Sequence, residues 1–144
     1  MTRRADGMLV LLLRVGTRRV ALDARDVVEV VPGVPLRPAP GAPAAIAGLL
    51  DHRDGVAPVV DLTLLLTGVA AAPLLSTRLV LVRREDGGLI ALRAEGATAV
   101  SRVDAAPAAD GTLALDDGGS AELVRWTELV PAALRAGAPP LPQA

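Results

Sequence analysis

Residues 48–62 read GLLDHRDGVAPVVDL. Two apolar runs of strand length, GLL and VAPVVDL, flank Asp51, His52, Arg53, Asp54 and Gly55. Asp54-Gly55 between apolar runs is the strongest short-range hairpin signal, because a type I′ turn takes positive φ at both central residues. The stretch is therefore read as a hairpin, residues 46–50 returning as 56–60, with its polar tip in water. His52, the single histidine of the chain, is expected to be exposed there. Pro58 has no N–H to give a ladder, so its strand is expected at a sheet edge or bulged at that point. Asp61 then caps a short apolar helix, LTLLLT, which Gly68 stops.

Upstream, MLVLLLRV (8–15) reads as a strand, GTRR as a turn, and VALDARDVVEVV (20–31) as a returning strand. The middle of that return, DARDV, suits a single helical turn with Asp23 as N-cap. Prolines 32, 35, 38, 40 and 43 follow. Such spacing continues neither a helix nor a central strand, so it marks an extended surface connection rather than a polyproline ligand. Downstream the order returns: TRLVLVRR (77–84), an EDGG turn, LIALRA (89–94) and ATAVSRV (97–103). A shift of 70 residues lays LVLLLR (9–14) on LVLVRR (79–84), ALDA (21–24) on ALRA (91–94), and Val30 on Val100. VVDLTLL (59–65) has a weaker echo in VRWTELV (124–130), 65 residues on. Two β units, each too small for a comfortable core, are expected to share one interface.

The 144 residues suit one ordinary domain. Cysteine is absent, which removes disulfides and thiolate metal sites. No apolar run approaches the roughly 20 residues of a membrane span, so no membrane insertion and a cytoplasmic location are expected. The net charge is −1, all 15 basic residues are arginine, and Trp126 is the only aromatic. A nucleic-acid partner would want a basic stripe or stacking rings, and neither is present.

No phosphate loop, nucleophile elbow or calcium-loop spacing occurs. We therefore assign no catalytic residue, no cofactor and no metal. What remains is exposed strand edges beside an apolar groove, which suits protein binding by strand addition or helix docking. The alternative is a small β-barrel that binds a ligand or nucleic acid.

The run IAGLLDHRDGVAPVVDLTLLL (46–66) resembles the signature of CheW-like domains, the adaptors of bacterial chemotaxis. Gly48, Leu49, Leu50, Arg53, Pro58, Val59, Val60, Asp61 and Leu62 stand where that family's pattern has them. VVEVV (27–31) resembles its valine-rich strand with Glu29 at the usual acid, and PLRPAPGAP (35–43) its proline-rich connection. Asp51 and His52 stand where the family has Asn and Leu, and Asp54-Gly55 replaces the glycine that usually follows the arginine. Residues 109–130 are compressed relative to the family.

The resemblance implies a mostly β fold of two intertwined SH3-like five-stranded barrels with short helices, the second barrel shortened. It implies one domain over 1–144, with halves at about 8–68 and 77–136 and a Pro-rich tail at 137–144. It implies no enzymatic activity, and partners in a chemoreceptor's cytoplasmic tip and the regulatory domain of a CheA-type histidine kinase. Arg53 is the expected polar contact, with Glu29, His52, Asp54 and Val59 as the other protein-binding residues.

Overall fold

The computed structural model describes residues 7–104 and 106–131, with the side chains of 98 and 99 left aside; the Pro-rich tail at 137–144 lies outside the described residues. Ten strands run in chain order: β1 Met8–Val15, β2 Arg18–Asp23, β3 Val27–Pro32, β4 Ile46–His52, β5 Gly55–Asp61, β6 Arg78–Arg83, β7 Leu89–Ala94, β8 Gly96–Val103, β9 Thr112–Ala114 and β10 Ser120–Leu123. Helix α1 spans Leu62–Thr67 and α2 Trp126–Leu129. No helix among the described residues is long and apolar enough to cross a membrane.

Local chemistry sets several boundaries where the residues say it should. Asp23 accepts the Arg25 N–H at 2.9 Å and caps a 3₁₀ turn, Ala24–Asp26, between β2 and β3. Asp61 accepts the Leu64 N–H at 3.1 Å and starts α1. Gly68 ends α1 in the left-handed region, φ 79°, where its N–H reaches the Leu64 carbonyl.

The strands form two five-stranded mixed sheets, ordered β8-β1-β2-β10-β9 and β3-β6-β7-β5-β4. Exchanging β1–β5 with β6–β10 turns one order into the other. Each half of the chain therefore lends its first hairpin to the sheet completed by the other half. The compressed C-terminal region still supplies its full strand count, as the short β9 and β10.

The pairing also corrects the repeat. Leu12 faces Ala21 as Leu81 faces Ala91, so the offset is 81 − 12 = 69 on the first strand and 91 − 21 = 70 on the second. The 70-residue match of LVLLLR with LVLVRR is one residue out of phase, and one residue in a strand exchanges the faces. Val10 and Leu12 fill one barrel as Leu79 and Leu81 fill the other, while Leu11, Leu13, Val80 and Val82 face the core between them. For the last strand, Leu123 meets Ala21 as Val59 meets Ala91, an offset of 123 − 59 = 64 rather than 65. Arg125 thus takes the place of Asp61 at the helix start, and Trp126 that of Leu62. Both Trp126 and Leu62 are buried in the shared core.

Burial on both faces explains why β1 and β6 read as nearly unbroken apolar runs. The edge expected for Pro58 is not found, because β5 lies inside its sheet between β7 and β4, while the β4–β5 register shifts beside it, between Ile46 and Gly48 opposite Val60 and Val59. Leu49, opposite Pro58, donates its N–H to the Arg37 carbonyl at 2.8 Å and accepts the Arg37 N–H at 2.9 Å. The pair Leu49–Pro58 is thus a non-hydrogen-bonded one, and β5 first meets β7 at Val59, past the proline. The Arg37–Leu49 bridge also makes the proline-rich connection part of the barrel wall.

Candidate functional site

The hairpin β4–β5 turns on Arg53 and Asp54, with His52 paired to Gly55. Among the described residues only glycines have positive φ, and Gly55 takes 128°. The type I′ turn centred on Asp54-Gly55 is therefore not formed. The His52 ring folds back instead, and its Nδ1 accepts the Asp54 N–H at 3.2 Å, the service an Asn or Asp side chain gives in an Asx turn.

That fold-back overturns the exposed histidine: the His52 side chain is 7% accessible. Its Nε2 lies 3.0 Å from Glu29 Oε1 on β3, and Arg53 Nη2 donates to the same oxygen at 2.9 Å. Glu29 is thereby held below the ordinary carboxylate range, first by the His52 hydrogen bond and then by that from Arg53. Glu29, His52 and Arg53 join β3 to β4, the two outermost strands of their sheet.

Arg53 remains 70% accessible and Asp54 54%, so both are presented at the tip. Asp54 Oδ2 stands 3.8 Å from His52 Nδ1. Val59 is fully buried in the barrel core and offers no side chain to a partner. Asp51 forks with Arg37 at 2.8 and 2.9 Å on the exposed face of β4.

Two features were not read from the residues. Val30 pairs with Val80 and Val100 with Leu11, and both partners belong to the shared core. Val30 and Val100 carry that apolar face out to the sheet edges, where they are 38% and 52% accessible; Leu9, two residues from Leu11, is 50% accessible. The second feature is what else the capping Asp61 holds: 2% accessible, it accepts from Ala71 N and Arg93 Nη2 at 3.0 and 2.8 Å besides Leu64 N at 3.1 Å. In VVEVV the half-buried Val27, Glu29 and Val31 alternate with the exposed Val28 and Val30.

The chain matches the family model described as CheW-like domain over residues 9–127. It also superposes on the crystal structure of scaffolding protein TtCheW from Thermoanaerobacter tengcongensis with a TM-score of 0.70, at 21% sequence identity, over 81% of this chain and 88% of that one. No curated protein matches it.

Proposed function

The chain belongs to the CheW-like domain family, and from that premise we propose that it is an adaptor in chemotaxis-type signal transduction, joining the cytoplasmic tip of a methyl-accepting chemoreceptor to the regulatory domain of a CheA-type histidine kinase. On this reading it transforms no substrate. It holds two proteins at high effective concentration and passes the state of one to the other.

The observation that carries the reading is what β3 presents on its two faces. The accessible Arg53 is held over Glu29, and Val30, the next residue along the strand and so on its other face, is exposed at the edge of the shared core. Docked helices use apolar contacts and a few polar anchors. Val30 offers the first on one face, and Arg53, Glu29 and Asp54 offer the second at the hairpin tip.

The test is calorimetric titration of the full chain with the cognate kinase regulatory domain and, separately, with a soluble receptor tip. Saturable binding to either, weakened about tenfold by Arg53→Ala or Val30→Asp, is expected. Absence of binding to both at tens of micromolar rejects the adaptor.

A further inference from the structure

His52 has a use that the turn alone does not exhaust. Its Nδ1 accepts a backbone N–H from Asp54, so in the neutral ring the proton is on Nε2, which faces Glu29 Oε1 at 3.0 Å. Both ring nitrogens are committed, and the side chain is 7% accessible. A second proton can enter only at Nδ1. There it meets the Asp54 N–H, two donors face each other, and the turn's hydrogen bond is lost. The acceptor at hand is Asp54 Oδ2, 3.8 Å away, which reaches Nδ1 once the turn moves. On the other side, the imidazolium strengthens its hold on the Glu29 oxygen that Arg53 shares.

We propose that His52 is a proton-operated latch on the hairpin tip: neutral, it pins the Asp54 amide and leaves Glu29 holding Arg53; protonated, it releases the turn, takes Glu29 for itself and frees Arg53. The charged groups in contact with the ring or sharing its acceptor are Glu29 from β3 and Arg53 and Asp54 from the turn. Opposite His52, β5 places Gly55. Asp51, next in the chain, is engaged with Arg37. Two carboxylates thus flank the ring against one guanidinium. The latch rests on the adaptor reading only for its consequence, the release of Arg53 to a partner.

The experiment is amide-resolved NMR of the full chain from about pH 8 to 5, with exchange rates corrected for the intrinsic pH dependence. As the His52 ring titrates, the Asp54 amide should shift with the same midpoint and lose about tenfold in protection, as befits one hydrogen bond. In His52→Asn, which keeps an acceptor for that amide and cannot titrate, both changes should vanish. If that variant does not fold, His52→Gln, which keeps a donor toward Glu29, serves for the comparison. An Asp54 amide unmoved through the ring's titration, or moved equally in the variant, overturns the latch. Titration of the kinase domain at both ends of the range separates the two readings. A latch that responds while affinity stays flat leaves the latch standing and removes Arg53 from the contact.

Discussion

Arg93 Nη2 meets Asp61 Oδ2 at 2.8 Å on neighbouring strands of one sheet, and at the equivalent places in the other sheet the signs are reversed: Asp23 stands for Arg93 and Arg125 for Asp61. The Arg125 charge contributes to holding the Asp23 carboxyl below its ordinary value, after the larger hydrogen bond from Arg25. Were each half to close on itself, with β2 beside β5 and β7 beside β10, Asp23 would face the buried Asp61, and Arg93 would face Arg125. Like charges at such places cost free energy. The reversed signs therefore favour the crossed arrangement over the uncrossed one.

Asp61→Ala removes a helix cap and the partner of a largely buried guanidinium together. A loss of about 3–5 kcal/mol is expected, as for breaking one side of a buried pair. Urea unfolding at neutral pH measures it, and a loss below about 1 kcal/mol would show that Arg93 finds another acceptor.

Neither half should fold alone. A fragment of residues 8–68 keeps β1 and β2 but has lost β8 and β10, their sheet neighbours. Its circular dichroism should lack strand signal, and mixing it with residues 69–131 should restore the signal together with a buried environment for Trp126. A fragment that shows strand structure alone contradicts the shared core as the source of stability.

Gly48→Ala tests the barrel wall. A Cβ there would sit 2.8 Å from the Arg37 carbonyl oxygen and 2.8 Å from Leu36 Cβ, forcing the Arg37–Leu49 bridge apart. The expected cost is about 1–3 kcal/mol, as for overpacking, with a fall of several degrees in Tm. An unchanged Tm means that the connection moves away freely.

Acid should destabilise the fold late. Asp23, Glu29, Asp86, Asp110 and Asp117 all have lowered values, with first causes in hydrogen bonds from Arg25, His52 and the backbone N–H groups of Gly88, Thr112 and Gly119. A carboxyl depressed in the folded state stabilises it above the unfolded value and loses that contribution as pH falls through the folded one. The loss should therefore begin near the ordinary values, 4.5 for Glu29 and 3.8 for the aspartates, and deepen below them. Urea midpoints of the intact chain at successive pH values check this; a decline complete above about pH 5 contradicts it.

What the residues made legible was local. Asp23 and Asp61 as caps and Gly68 as a stop each act within a few positions of themselves, and the structure has all three. Short apolar blocks between turn signals located the strands, and the resemblance of residues 46–66 supplied the architecture. The one-residue phase error in β1 against β6 arose because runs buried on both faces carry no alternation to fix their phase. His52 was misread because its burial is decided by Glu29, 23 residues upstream, on a strand that meets the hairpin only once the sheet curls. Val59 turns inward, since proximity to the tip along the chain says nothing about which face of β5 a side chain takes. The cross-over of the halves depends on contacts such as Val20 with Glu122, which no short window contains.

That last pairing has a consequence for birth on the ribosome. Val20 must wait 102 residues (122 − 20) for its neighbour. At about 5–20 residues per second, the leucine-rich first hairpin stands uncovered for roughly 5–20 seconds in every nascent chain. The order of synthesis thus puts the molecule's greatest exposure to wrong partners before its last quarter exists, when a neighbouring polysome can offer the missing strand first.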